Sequence, residues 1–396
     1  MTTSASIDFR FSEITSALVV GCVALMVLGL QPALLGDLIE QQRISLEGVG
    51  LVAMGEIFAL GVGVVLAEKW LPLHRIRLVA VLSSLYLVAV NLLTLRVHGD
   101  LACTAMRVAA GLGEASLFWI TTVVLVRSRQ PDRLSGIFLT MQTLAQALVA
   151  LMLARLTMPF LGGQKGFVVL AVISALPLLL AARLPATVPP HEEATKPAVA
   201  TLRGFFSLLV PFAHLSAVGT IWAYFEPLEK AAGVAASQAN LLVALVLVMQ
   251  IAGGGMAAVA VRHWRAPRVV AASAVAFAAI GVLMHLLAGH SVLVFTALCV
   301  AFGFLWLFQM PFHYRLAFDV DPQGRIAMLV PAAQLLGSGF GPLAASFFVR
   351  GENVQGIPLI ASGFASCALL AVILVASRVF QGTGRGRTSP CEESPH

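Results

Sequence analysis

The stretch LACTAMRVAAGLGEASLFWITTVVLV, residues 101–126, decides the fold of this chain. It is apolar throughout except for short polar side chains and two charged ones, Arg107 and Glu114. A membrane-spanning helix needs about 20 mostly apolar residues, because the hydrocarbon core of a bilayer is about 30 Å thick. A helix also satisfies its own backbone hydrogen bonds, which lipid cannot do. The stretch therefore predicts a transmembrane helix that carries two charges.

The composition excludes a water-soluble globular protein. Of 396 residues, 59% are hydrophobic and 11% are charged, whereas an ordinary soluble domain has about 25% charged residues. A soluble fold cannot hide that much apolar area, because most of its surface must stay wetted. The net charge of +6 does not indicate nucleic acid, since the basic residues form short clusters and no basic face. The five cysteines show neither a disulfide framework nor a metal-ligand spacing.

Eleven further apolar runs complete twelve predicted spans in two groups of six. The first group covers 14–38, 46–68, 74–96, 101–126, 134–158 and 166–184, and the second covers 204–228, 238–261, 268–288, 291–315, 325–349 and 356–378. The first run has no small-x-small cleavage site, so we interpret it as a span and not as a signal peptide. We predict an all-α membrane protein with a six-helix bundle at 1–184, a linker at 185–203, a second six-helix bundle at 204–380 and a disordered tail at 381–396.

The basic residues between the spans predict the orientation of the chain. Eighteen of the 25 lysine and arginine residues fall on one side of the predicted membrane, six fall on the other, and Arg107 lies within a span. Loops rich in lysine and arginine stay in the cytoplasm. We therefore expect both termini and the linker to be cytoplasmic, in the inner membrane of a cell, and we expect a monomer.

The two halves repeat a set of landmarks in the same order. The matching pairs are Trp70 with Trp264, Gly61 with Gly255, Gly111 with Gly303, Arg133 with Arg325, and Gln142 with Gln334. Their offset of about 192 residues indicates an internal duplication of a six-helix unit, the construction of many secondary transporters, which hold their solute between the two halves.

Two motifs identify a family resemblance. RVAAGLGEA, beginning at Arg107, is similar to an R-x-x-x-G-x-G motif, and GVVLAEKWLPLHRIR, beginning at Gly63, is similar to a degraded G-x-x-x-D-R-x-G-R-R loop with Glu68 in place of the aspartate. With these motifs the chain resembles the major facilitator superfamily of secondary transporters over nearly its whole length. The fifth span lacks the G-x-x-x-G-P pattern of that superfamily's drug/proton antiporters. The resemblance implies two bundles that rock around a central cavity lined mainly by spans 1, 4, 7 and 10.

Three charged side chains at membrane depth are candidates for proton coupling, since such charges are costly and rare. By resemblance, Arg107 matches a motif arginine that is often linked to coupling. Glu114 lies two helical turns from Arg107, about 10 Å away, so we expect no direct pair between them. Glu114 either carries a proton or forms a fixed ion pair with another helix. Glu56, in the second span, is expected to face Gln250 of the other half, as a gate or as a simple hydrogen bond between helices.

Aromatic and polar stripes on the predicted spans suggest a surface for a solute. Aromatic walls with a few polar groups suit an organic molecule with an apolar body. Aromatic residues also pack between helices or anchor at membrane surfaces, which is the interpretation we favour for Trp222 and Tyr224. The candidate solute-binding residues are Phe302, Trp306, Gln309, His313, His214, Phe225 and Trp119.

Charged residues in matching loops of the two halves are candidates for a cytoplasmic gate closed by ion pairs. The same loops are also consistent with ordinary solvated turns, since Asp-Pro is a common turn signal. The candidate gate residues are Glu68, Asp132, Arg133, Asp319, Asp321 and Arg325.

These patterns predict a proton-coupled carrier of a small organic or amphipathic solute, with export favoured over uptake. The alternative within transport is a proton-coupled importer of an organic anion, in which Arg107 binds the anion directly. An enzyme would need a nucleophile with a base or a metal-ligand cluster, and the duplication disfavours a passive channel. No Walker motif occurs in the sequence. We therefore expect no cofactor and no metal, and partners limited to the solute, protons and the lipid bilayer.

Overall fold

The computed structural model describes residues 8–153, 165–188, 201–287, 290–323, 325–351 and 353–377. Within these ranges, twelve helical segments are long and apolar enough to cross a membrane, which confirms the predicted number. In chain order, spans 1 to 12 are Phe11–Glu40, Gly48–Trp70, Ile76–Thr94, Asp100–Arg127, Arg133–Met152, Gly166–Arg183, Leu202–Ala223, Leu241–His263, Ala266–Leu287, Val292–Val320, Ala327–Ser346 and Ile357–Ala376. The end of predicted span 5, most of the linker and the tail lie outside the described residues.

Several spans are broken or extended, and in spans 7 and 10 the interruptions lie at or next to candidate residues. Span 1 consists of the helices Phe11–Ala24 and Met26–Glu40, and span 10 consists of Val292–Phe308 and Met310–Val320. Span 7 continues beyond Tyr224 as a short helix, Phe225–Ala231. In span 10 the break falls at Gln309, just before Pro311, whose ring cannot continue the hydrogen-bond pattern of the preceding turn.

Other helices extend their spans or end them in a tight turn. The helix of span 5 begins at Pro131 and that of span 8 at Ala236. Span 6 ends in the helix Leu176–Leu180 and a 3-10 turn, Ala181–Arg183. Span 11 opens with a 3-10 turn, Ala327–Leu329, before the helix Val330–Ser346.

The helices pack in two groups that follow the chain. Spans 1–6, here called the N-lobe, pack around span 4, which contacts spans 1, 2 and 3. Spans 7–12, the C-lobe, are held together by contacts of span 7 with spans 11 and 12, of span 9 with span 12, and of span 8 with span 10. Between the lobes, span 2 packs against span 11 and span 5 against span 8. This arrangement is a pseudo-twofold one, because spans 2 and 8 are equivalent in the repeat, as are spans 5 and 11.

One side of the molecule is closed between the lobes. We call the side with Phe11 and Ala376 the terminal side and the other the distal side. At the distal end of span 2, Gly50 lies so close to the carbonyl of Pro342 in span 11 that a Cβ there would overlap with it. Nearby, the backbone N–H of Gly351 donates to Glu47 Oε1 at 2.8 Å. Glycine at position 50 thus lets the two backbones meet and seal the distal side.

Candidate functional site

Arg107 is the centre of a buried charged cluster in the N-lobe. Its side chain is 1% exposed, and its guanidinium contacts the carboxylate of Glu56 on span 2. Its Nη1 also donates to Asn91 Oδ1 on span 3 at 2.8 Å. The Phe167 ring on span 6 lies under the guanidinium, with its centroid 5.2 Å from Cζ, which is a cation–π distance. Arg107 therefore joins four helices of the N-lobe.

Glu114 belongs to the same cluster, and the expectation that it cannot pair with Arg107 is wrong. The distance from Arg107 Nη2 to Glu114 Oε1 is 3.7 Å. The two backbone positions are two turns apart, but the long arginine side chain lies along the helix and covers the gap. The other carboxylate oxygen, Glu114 Oε2, is buried and has no hydrogen-bond partner among the described residues.

The pairing of Glu56 with Gln250 is also wrong. Glu56 contacts Arg107 inside the N-lobe. Because of the pseudo-twofold arrangement, span 2 packs against span 11, and span 8, which carries Gln250, packs against span 5. Positions that are equivalent in the repeat therefore do not face each other. The Gln250 amide nitrogen is buried without a partner.

Polar residues behind the charged cluster hold span 3 to span 6. Asn91 Nδ2 donates to Ser174 Oγ at 3.2 Å, and Ser174 Oγ donates to the Leu170 carbonyl at 2.7 Å. Ser84 donates to the carbonyl of Ser174. These contacts fix the amide oxygen that Arg107 uses. The sequence reasoning missed Asn91, although an asparagine in the middle of an otherwise apolar run is a signal that finds it.

A small cavity adjoins the charged cluster. Its volume is about 10 Å³, and Gln31, Glu56, Arg107 and Phe167 lie among its lining residues. That volume is enough for about one water molecule. The Gln31 amide nitrogen on span 1 is buried and has no partner. Gln31, which the sequence reasoning also missed, therefore offers a free donor beside the ion pairs.

In the C-lobe, two histidines that the sequence predicted separately form a pair. His214 Nδ1 on span 7 lies 3.2 Å from His313 Nε2 on span 10. Both side chains are buried. On span 11, Gln334 Nε2 lies 3.1 Å from the Met310 sulfur and 3.2 Å from His313 Nδ1.

The contacts of Gln334 indicate which ring nitrogens of the histidine pair carry a proton. A thioether only accepts hydrogen bonds, so the amide N–H groups of Gln334 face both Met310 and His313. His313 Nδ1 is then an acceptor, and its Nε2–H donates to His214 Nδ1. These contacts assign the proton of His214 to Nε2, which is buried and has no partner within the described part of the chain.

An aromatic wall lies next to the histidine pair. Phe302 of span 10 stacks with Trp222 of span 7 at a ring-centroid distance of 6.4 Å, and Trp306 of span 10 meets Trp222 edge-on at 5.2 Å. Phe225 lies 5.2 Å from Trp222 and is fully buried. The indole N–H of Trp222 donates to the Leu28 carbonyl of span 1 at 2.7 Å. Trp222, expected only to pack or anchor, therefore also joins the two lobes.

Trp119 and Glu68 lie together at the terminal side of the N-lobe, apart from the aromatic wall. Trp119 is buried in the N-lobe core, and its Nε1 donates to Glu68 Oε2 at 2.6 Å. Glu68 Oε1 lies 3.6 Å from Arg127 Nη2 on span 4. This position separates Trp119 from the other candidate solute-binding residues.

The candidate gate residues form their contacts within one lobe. Asp321 pairs with Arg325 at 3.2 Å and accepts backbone N–H groups of its own loop, and these bonds lower the pKa of Asp321. Arg133 bonds Gln130 at 3.2 Å. Asp319 is exposed, and the side chain of Asp132 lies outside the described ones. In this conformation, the contacts described for these residues do not join the two lobes at the terminal side.

An opening between the lobes lies at the terminal side. It is a cavity of about 600 Å³ between spans 5, 8 and 10. Of spans 1, 4, 7 and 10, which the resemblance predicts around a central cavity, span 10 contributes to this opening. Among its lining residues are Arg133, Gly136, Leu144, Ile251, Gly255 and Met310. Met310 also contacts Gln334, and Gln334 contacts His313. Two side-chain contacts therefore connect this cavity to the histidine pair.

Twelve helices in two pseudo-symmetric groups of six, with polar sites in the interior, define the fold of the major facilitator superfamily. The chain matches no family model and no curated protein sequence. Solved structures do match it. A mutant of the nucleoside transporter NupG aligns with a TM-score of 0.68 and 13% identity, over 92% of this chain and 100% of that one.

Two further structures share the fold at low identity. A D-xylose-proton symporter aligns with a TM-score of 0.67 and 15% identity, over 93% of this chain and 98% of that one. A bacterial homolog of the human lysosomal transporter Spinster, in an inward-facing and unoccupied conformation, aligns with a TM-score of 0.57 and 11% identity, over 91% and 93% of the two chains. These matches confirm the predicted fold.

Proposed function

We propose that this chain is a proton-coupled secondary transporter that moves a small organic or amphipathic solute by alternating access. The observation that carries the proposal is the charge count of the buried N-lobe cluster. Two carboxylates, Glu56 and Glu114, share one guanidinium, Arg107, at a site that is nearly closed to solvent. With every group ionised, the cluster has one excess negative charge. A buried excess charge is costly, and one bound proton removes it.

The conformation supports alternating access. The distal side is sealed by close contact of spans 2 and 11, whereas the terminal side contains the cavity between the lobes. In a rocking carrier, one of the two end states is closed between the lobes at one side and has a cavity between them at the other. We place the terminal side in the cytoplasm of a cell, with both termini, and the chain in the inner membrane.

The C-lobe supports an organic solute that carries a hydrogen-bond acceptor. The aromatic wall of Phe302, Trp306 and Trp222 offers an apolar surface, and the unpartnered His214 Nε2–H and Gln309 Nε2 offer donors. Unpaired buried donors gain most when a ligand pairs with them. We propose export as the direction of transport.

The alternative, an anion importer with Arg107 as the clamp, has less support. Arg107 already contacts two carboxylates and an amide oxygen. The adjoining cavity of about 10 Å³ has room for about one water and not for an organic anion. This geometry favours a coupling role for Arg107.

A solute screen followed by counterflow tests the proposal. Solutes that raise the melting temperature of the purified protein are loaded into liposomes that contain it, and exchange is measured at two pH values. Export from inside-out vesicles gives the direction. We expect exchange that a proton gradient drives and that changes between the two pH values. Exchange that is indifferent to both pH and gradient contradicts proton coupling, and the absence of any exchanged solute contradicts transport.

A further inference from the structure

A second unpaired carboxylate lies in the C-lobe, outside the site described above. Glu229 belongs to the short helix Phe225–Ala231, which continues span 7 at the distal side. It is 1% exposed, and among the described residues neither Oε1 nor Oε2 has a hydrogen-bond partner. An ionised carboxylate in such a place loses its hydration without compensation, which is unfavourable.

The surroundings of Glu229 offer no described cation to pair with it. Cys299 of span 10 lies close enough for the two groups to interact electrostatically. In the repeat, Cys299 holds the position that Arg107 holds in the N-lobe. The guanidinium that pairs with the N-lobe carboxylates therefore has a thiol in its place. The neighbouring Lys230 is exposed.

The other groups near Glu229 are acidic or uncharged. On its own helix, Glu226 acts on it through its charge. Span 1, which packs against this helix, carries Asp37, whose Oδ2 accepts the Gly166 N–H at 2.9 Å. Span 8, which also packs there, has no charged residue before Arg262 at its terminal end. Burial, and secondly Glu226, raise the pKa of Glu229 well above its usual range.

The helix that carries Glu229 also forms part of the distal closure. The Glu226 carboxylate packs directly on Gly36 of span 1, so closely that a Cβ on Gly36 would overlap with it. Span 1 belongs to the N-lobe and Glu226 to the C-lobe. A movement that parts the lobes at the distal side must break this contact, and it brings water to the helix of Glu226 and Glu229.

We propose that Glu229 is a second proton-binding site, which holds a proton while the distal side is closed and releases it when that side opens. The step is a protonation only: the carboxylate oxygen takes one proton from a hydronium ion, whose O–H bond breaks to leave water, and no other bond changes. The bound proton is independent of the proposed transport function. The release of the proton when the distal side opens rests on the proposed function, because this release requires alternating access.

Infrared spectroscopy of the purified full-length chain in lipid tests the proton. Protonated carboxyl groups have a C=O band that ionised ones lack. Glu229→Gln removes the carboxyl at nearly constant shape, and Glu226→Gln is the matched control on the same helix. At neutral pH we expect the spectrum of the native chain to contain a carboxylic-acid band that Glu229→Gln lacks and Glu226→Gln keeps. An unchanged band in Glu229→Gln overturns the proposal.

The melting temperature measured at several pH values is a second test, and it also shows whether a variant is misfolded. A carboxyl whose pKa is raised in the folded state stabilises the fold fully below its ordinary pKa, and this stabilisation is lost as the pH rises through the raised value. The native chain should therefore melt at progressively lower temperature as the pH rises in that window, and Glu229→Gln should flatten the slope. An equal slope in both proteins contradicts the proposal. Neither measurement needs a solute, so failure of the transport assay leaves both results interpretable.

Discussion

In the N-lobe, span 4 carries Arg107 and Glu114, whereas the equivalent positions of span 10 in the C-lobe hold Cys299 and Trp306. The same helix unit therefore provides an ion-pair cluster in one lobe and an aromatic wall in the other. The N-lobe cluster is nearly filled, with a cavity of about 10 Å³ beside it. The C-lobe wall lies at the lobe boundary, where Trp222 donates to the Leu28 carbonyl of span 1.

This difference indicates a division of roles between duplicated lobes. The N-lobe holds paired charges that a proton can rebalance, and the C-lobe holds apolar surface and unpaired donors that a solute can use. Substitutions in the N-lobe should therefore change the response to pH, and substitutions in the C-lobe should change solute affinity.

The largest effect is expected for Arg107→Leu. It leaves Glu56 and Glu114 buried without their cation, and breaking a buried pair by removing one partner costs about 3–5 kcal/mol. We expect a clear drop in melting temperature and no proton-driven transport. A variant that melts and transports like the native chain contradicts the central role of the cluster.

Arg107→Lys is the matched control for that variant. It keeps the positive charge but loses the forked geometry that contacts two carboxylates and Asn91. If Arg107 acts in coupling, the variant keeps solute affinity and loses the pH dependence of transport. If it loses affinity instead, Arg107 binds the solute and the anion-importer alternative is right.

The next largest effects are expected for Glu56→Gln and Glu114→Gln, and the two variants should differ in stability. Glu56 contacts the guanidinium directly, whereas Glu114 lies at 3.7 Å and has an unpartnered oxygen. Each variant removes the excess charge of the cluster, so each should reduce the response of transport to pH. We expect the larger loss of stability for Glu56→Gln. Transport that keeps its pH dependence in both variants excludes the cluster as the proton site.

A smaller effect is expected for Trp306→Ala in the C-lobe. Removing one aromatic anchor of a binding surface typically costs 1 kcal/mol or more, so we expect solute affinity to fall by about tenfold. The pH profile of transport should not change. Trp119→Phe is the control, because it shortens a buried aromatic side chain outside the wall, removes the N–H that donates to Glu68 and leaves the wall intact. A changed pH profile with unchanged affinity for Trp306→Ala reverses the proposed roles of the lobes.

The architecture was predicted well, because it depends on the lengths of the apolar runs and on the charges within them, which can be read from the sequence. Twelve long apolar runs predicted twelve spans, and all of them were found among the described residues. Arg107 and Glu56 stood out as charges in apolar helices, and they meet in the structure. Both predictions follow from the cost of exposing polar groups to lipid, which needs no knowledge of helix packing.

The contacts within the site were less predictable, because they depend on side-chain direction and helix crossing. The Arg107–Glu114 contact needs an extended arginine rotamer, which sequence spacing does not reveal. The pairing of Glu56 with Arg107 and not with Gln250 depends on how the lobes are related by the pseudo-twofold. The histidine pair needs spans 7 and 10 to meet at one depth, and only the structure places His214 and His313 together.

The smallest effect is expected at the terminal loop, with Asp321→Asn. The lowered pKa of Asp321 means that its hydrogen bonds stabilise the loop above its ordinary pKa and are lost as the pH falls through the lowered value. At neutral pH the variant should therefore melt slightly below the native chain, and the difference should vanish in acid. Transport by the variant and its pH profile are expected to change little. A large transport defect shows that this loop takes part in the gate.

Distances between the lobes at both sides of the membrane test the central claim most directly. In a background without native cysteines, spin labels at Leu51→Cys and Phe347→Cys report the distal side, and labels at Val65→Cys and Met328→Cys report the terminal side, since all four positions are exposed. With pH and transported solute varied, alternating access predicts that the distal distance grows as the terminal distance shrinks. Distances that stay fixed at both sides, or that grow together, contradict it.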